Sequence, residues 1–116
     1  MNDVMQLDAA QLATLRMLRN GQLLGGLIRS YRAQTQRQLL DIQTALNAND
    51  GAGLASIAHS LKSSSFSLGA TRMGQLSTAL ESAAMQRDLQ QCQSIVAALH
   101  ESYGALLPEL AREEQS

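Results

Sequence analysis

Apolar residues recur at spacings of three and four along every long segment of this chain, and the one-in-two alternation and Val/Ile/Tyr enrichment of half-buried strands are absent. A helix of 3.6 residues per turn gathers such a pattern into one stripe, which another stripe must cover. The chain is therefore predicted to be all-α, its helices covering one another.

Start and stop signals divide it. Asp8 is a suitable N-cap for a short first helix through Leu12, Leu15 and Leu18, which stops at Asn20-Gly21. A second helix over about 23–48 sets Leu24, Ile28, Tyr31, Leu39, Ile42 and Leu46 along one side, and its polar middle, 32–38, is expected to be solvated. Asn49-Asp50-Gly51 is a tight turn in which Asp50 caps the next helix and Gly51 tolerates left-handed geometry. The third helix, about 50–68, closes at Gly69, and the fourth, about 71–85, carries Met73, Leu76, Leu80 and Ala83.

Asp88 is placed to cap the last helix, where Leu89, Cys92, Val96, Leu99, Tyr103, Leu106 and Leu110 alternate spacings of three and four. Pro108 lacks a backbone donor and crowds the carbonyl of Gly104, so a kink or an early end is expected there, with the acidic tail fraying. Short connections between helices imply antiparallel neighbours. The expected architecture is an antiparallel up-down-up-down four-helix bundle with a short additional N-terminal helix, in one domain spanning 1–116 whose ends, 1–7 and 112–116, fray.

Several function classes are excluded at this point. A net charge of -1, with one Phe and two Tyr, provides neither a basic field nor a row of stacking platforms, so nucleic acid is not an expected partner. Cys92 stands alone, which rules out an internal disulfide and a thiolate zinc cluster and suits a reducing cytoplasm. The start does not read as a signal peptide, and no apolar stretch approaches the roughly 20 residues of a spanning helix, so neither export nor membrane contact is expected. No Gly-x-Gly-x-x-Gly or Walker pattern is present for a nucleotide, and no Glu-x-x-His pair for a bundle metal site.

Chemistry concentrates in the third helix. On a wheel of about 100° per residue, Leu54, Ile57, Ala58, Leu61, Ser65 and Leu68 share one arc, and His59 projects roughly 150° from its centre. Ser56, Lys62, Ser63 and Phe66 surround it at helical neighbour distances. A solvent-facing imidazole is largely unprotonated near neutral pH and can act as a nucleophile without a general base.

Lys62, one turn on, can set an ammonium beside anionic oxygens, and phosphoryl transfer depends chiefly on positioning and charge stabilisation. The run Ser63-Ser64-Ser65 is poor for helix propensity, so Ser63 is read as leaving room beside the imidazole and the other two as packing against a neighbouring helix. Phe66, an apolar ring on the outward side, and Ser56 are read as partner-binding residues, with partial burial beside the fourth helix as the alternative for Phe66. His100 matches no such pattern and is taken as structural.

The stretch 58–70, AHSLKSSSFSLGA, resembles the signature of histidine-containing phosphotransfer (HPt) domains, His-x-Leu-Lys-Gly-Ser-Ser/Ala-x-x-Leu-Gly-Ala, in both spacing and residue type. Similarity continues into Leu76 and the Leu80-Glu81 pair. The resemblance implies that His59 is the phosphoacceptor of a multistep two-component phosphorelay, that Lys62 stabilises the phosphoryl group, and that Gly69 ends the helix. It implies no cofactor of the chain's own, with Mg2+ held instead by a partner receiver domain. The implied partners are response-regulator receiver domains and a hybrid sensor histidine kinase.

The chain departs from the signature at Ser63, where the family carries Gly; a hydroxymethyl is small enough for transfer to survive, slowed or with narrowed partner choice. Glu81 falls where relatives often place a polar residue near the imidazole. A carboxylate there would repel phosphate, so Glu81 is read as an ordinary surface glutamate.

Two rivals remain. A dimerising histidine-kinase core typically has an acidic residue after its histidine, whereas Ser60 follows His59, so a monomer is expected. A non-catalytic helical module would instead dock a receiver domain or another partner through the His59/Phe66 face.

Overall fold

The computed structural model describes residues 6–17 and 22–115. Five helices make up the described chain: α1 (Ala9–Met17), α2 (Gln22–Asn47), α3 (Gly51–Leu68), α4 (Thr71–Met85) and α5 (Leu89–Gln115). α2 packs against α3 and α5, and α4 packs against the same two, while α1 leans on α2. This is the four-helix bundle with an added N-terminal helix that the apolar stripes predict. None of these helices is long and apolar enough to cross a membrane.

The turns follow their capping residues. Asp8 Oδ1 accepts the amides of Ala10 and Gln11, Asp50 Oδ1 that of Gly53 at 2.9 Å, and Asp88 Oδ1 that of Gln91 at 3.1 Å. Gly69, at φ 93°, closes α3 as a left-handed C-cap, its amide reaching Ser65 O and Phe66 O and the Ala70 amide reaching Ser65 O at 2.8 Å. In the α2–α3 turn, the left-handed residue is Asn49 (φ 55°) and not Gly51. Asn is the non-glycine residue that best tolerates that region. The expected stop of α1 at Asn20-Gly21 lies outside the described residues.

Leu24, Ile28, Ile42, Leu54, Leu61, Met73, Leu80, Leu99, Leu106 and Leu110 are fully buried and form the centre of the bundle, each such side chain contributing about 1.5–3 kcal/mol by leaving water. The α3 arc falls as the wheel places it, with Leu54, Ala58, Leu61, Ser65 and Leu68 buried and Ile57 partly so.

Three features depart from expectation. The polar middle of α2 is not all solvated, because Thr35 and Gln38 are buried. α2 is covered by α3 on one side and α5 on the other, which widens its buried arc beyond the apolar stripe, and Gln38 Nε2 finds a partner in Ser60 Oγ at 3.1 Å.

Pro108 does not end α5, which runs on to Gln115. The proline lies on the exposed side, while Leu106 and Leu110 are anchored in the core on either side of it. Packing offsets the one backbone bond that the ring removes.

The ends, finally, are held rather than frayed where they are described. Leu7 is buried and bridges to Ala70, and its amide and that of Gln6 donate to the Glu109 carboxylate at 3.1 to 3.3 Å. Glu113 pairs with Arg16, and Glu114 with Arg29 and, at 2.9 Å, Arg32. Residues 1–5 and 116 lie outside the described residues.

Candidate functional site

α3 carries His59 at mid-length on the face away from the core. Leu54, Ala58 and Leu61 must turn inward, and helical geometry then sends residue 59 outward, leaving its side chain 63% exposed. Ser56 and Ser63 are exposed on either side of it, one turn before and one turn after. No side chain larger than a hydroxymethyl stands at these two positions, so the approach to the ring along α3 is open.

α4 supplies what α3 alone does not reveal. Glu81 Oε2 lies 2.9 Å from His59 Nδ1, and Glu81 Oε1 accepts a hydrogen bond from Lys62 Nζ at 2.7 Å. One carboxylate therefore joins the imidazole to the lysine. The reading of Glu81 as an ordinary surface glutamate is corrected here. Its side chain is only 21% exposed, and the Lys62 bond, with a smaller contribution from His59, holds its carboxyl below the usual carboxylate range against the opposing effect of burial.

The pairing fixes the ring's chemistry. An ionised carboxylate can only accept, so the imidazole nitrogen facing it carries the proton. In the neutral ring the lone pair then resides on Nε2, the nitrogen that Glu81 does not hold. Lys62, 28% exposed, is bound to Glu81 rather than standing free beside the histidine.

Phe66 sits on the same side of α3, two turns on. It is 44% exposed, and one side of its ring packs on Gly74 of α4 so closely that a Cβ there would come within 2.7 Å of Phe66 Cε1. The ring is thus partly exposed and partly covered by α4. Beyond Glu81 in the other direction, Thr78, Ser82, Met85 and Gln86 line a shallow cleft, with Met85 exposed. Gly69 stands at the end of α3 as its C-cap, and His100, exposed on α5, is outside the core.

Glu81 could have been found from the turn. α3 and α4 form a hairpin about Ala70, and residues equally far from it face each other. Phe66 and Gly74 lie four positions before and after it, and His59 and Glu81 eleven. Once Gly69 is placed as the stop, this symmetry pairs 59 with 81.

The fold is shared with a solved protein. The chain is similar in structure to histidine-containing phosphotransfer protein B (HptB) from Pseudomonas aeruginosa PAO1, with a TM-score of 0.89 over 95% of both chains and 24% sequence identity. Comparison with curated protein sequences gives no significant match. The family model described as the Hpt domain matches residues 26–109, a span that includes the whole of α3 and α4 and therefore the His59–Glu81–Lys62 arrangement. The chain belongs to the Hpt domain family, whose members take part in histidine phosphotransfer in phosphorelays.

Proposed function

We propose that His59 accepts a phosphoryl group from the aspartyl phosphate of a response-regulator receiver domain and returns it to the aspartate of another. The Nε2 lone pair attacks phosphorus, the bond from phosphorus to the aspartyl oxygen breaks, and the aspartate leaves as a carboxylate. The Nδ1 proton stays where it is, facing Glu81, so the ring takes up the positive charge that the new N–P bond creates. Lys62 is the cation within reach of the phosphoryl oxygens, and Ser63 leaves the approach open. Ser56 and Phe66 meet the surface of the partner.

Mg2+ belongs, in this reading, to the receiver domain, where it neutralises charge on the phosphoryl group before and after transfer. The hybrid sensor histidine kinase is the upstream partner. The domain acts as a monomer in the cytoplasm, needing one exposed histidine and no second copy.

The observation that carries this reading is the exposed imidazole of His59 held by Glu81 at Nδ1 and not at Nε2. Incubation with a receiver domain charged with radiolabelled phosphate tests it. An acid-labile label on the wild-type protein that is absent from His59→Gln is the expected result. Label on neither protein would leave only the docking module of the rival reading.

A further inference from the structure

A carboxylate is an unexpected neighbour for a phosphoryl acceptor, because its charge has the same sign as the group to be received. Here it also occupies the lysine. Glu81 Oε1 holds Lys62 Nζ at 2.7 Å, and Oε2 faces His59 Nδ1 at 2.9 Å, so the cation and the ring proton are both already engaged when phosphate arrives. Among the described residues, the side-chain hydrogen bonds and ion pairs of His59 and of Lys62 all go to Glu81.

Building on the proposal that His59 carries phosphate, we infer that Glu81 makes the phosphohistidine a ready donor: it keeps Lys62 from fully neutralising the phosphoryl group and retains the proton on Nδ1. Two effects raise the energy of the phosphorylated state, and a third keeps it in its more labile form. The carboxylate repels the phosphoryl oxygens directly. It competes with them for the single ammonium that the site provides. It also faces the positive charge of the phosphorylated ring and so favours the protonated form, in which the N–P bond breaks more easily because a neutral imidazole departs. Glu81 is a positioning residue in this account, since it contacts His59 Nδ1 and Lys62 and none of the reacting atoms.

The lowered carboxyl pKa agrees with this placement, since the group is charged throughout the neutral range. Gln38 and Ser60 stabilise α3 from the opposite side without adding a charge to the histidine's surroundings.

Glu81→Gln separates these roles, because its amide carbonyl still accepts from Nδ1–H while the negative charge is gone. With a charged receiver domain, the equilibrium should move toward phosphohistidine by about tenfold, the size expected for removing one partly buried like charge beside a dianion. The isolated phosphohistidine should also survive longer, by a similar factor, in a 31P NMR time course. Lys62→Met should shift that equilibrium more in the Glu81→Gln background than in the wild type, where the lysine is shared. An equilibrium and lifetime unchanged within about twofold in Glu81→Gln, with wild type still labelled at His59, would overturn the inference alone. Absence of label on wild type would overturn the transfer reading beneath it.

Discussion

Phe66 rests its ring on the bare α-carbon of Gly74, and nothing larger than hydrogen fits between them. Gly74→Ala should therefore push the ring outward. A gain of about 1 kcal/mol in helix propensity opposes the lost packing, so global stability should change by no more than roughly that amount. The transfer rate to a receiver domain should fall nonetheless, because the side chain proposed to meet the partner has moved. NMR shifts of the Phe66 ring protons, read with the transfer rate, check both halves; an unmoved ring would show that α4 yields instead.

Two positions on one helix should behave oppositely. Leu61 is fully buried, and Leu61→Ala should cost about 2–5 kcal/mol by leaving a cavity, seen as a large drop in thermal midpoint. His59→Gln, two residues earlier on the exposed face, should change stability by about 0.5 kcal/mol or less while abolishing phosphoryl acceptance. Thermal melts of the two variants side by side measure the contrast.

The buried hydroxyl of Tyr31 makes a 2.7 Å hydrogen bond with Ser65 Oγ, and burial pushes the phenol from 10.0 up to about 12, the Ser65 bond opposing it. A phenol is neutral when protonated, and in the folded state it keeps its proton to higher pH than in the unfolded chain. Its contribution to stability is thus complete below pH 10 and is lost as pH rises through about 12. Absorbance at phenolate wavelengths and a denaturant series between these limits should show late ionisation of Tyr31 and falling stability together.

Removing the Glu109 carboxylate should loosen the first described residues. The amides of Gln6 and Leu7 both donate to it, so Glu109→Ala should cost about 1–2 kcal/mol, less than two charge-assisted bonds in isolation because the site is partly solvated. Faster hydrogen exchange at the Leu7 amide is the direct measure.

What the sequence made visible and what it did not divide along a physical line. Caps at Asp8, Asp50 and Asp88 and the stop at Gly69 act through their own neighbours, and the α3 arc follows from one helix's periodicity, so each could be read locally. The role of Glu81 depends on how α4 is rotated against α3, and the burial of Thr35 and Gln38 on α2 having two neighbours; neither is a property of one segment. Pro108 violates a local rule whose cost the buried Leu106 and Leu110 offset from outside. The exposed histidine was thus legible in the sequence, and the group that governs its proton was not.

Leu7 meets Ala70 and Glu109, and Glu113 and Glu114 reach Arg16 and Arg29, so that both ends of the described chain gather at the same pole. That pole lies about 14 Å along α3 from the imidazole, counted at 1.5 Å per residue from Leu68. Chain that precedes Gln6 or follows Gln115 meets the bundle there. An attachment made at that pole would stand clear of the exposed imidazole.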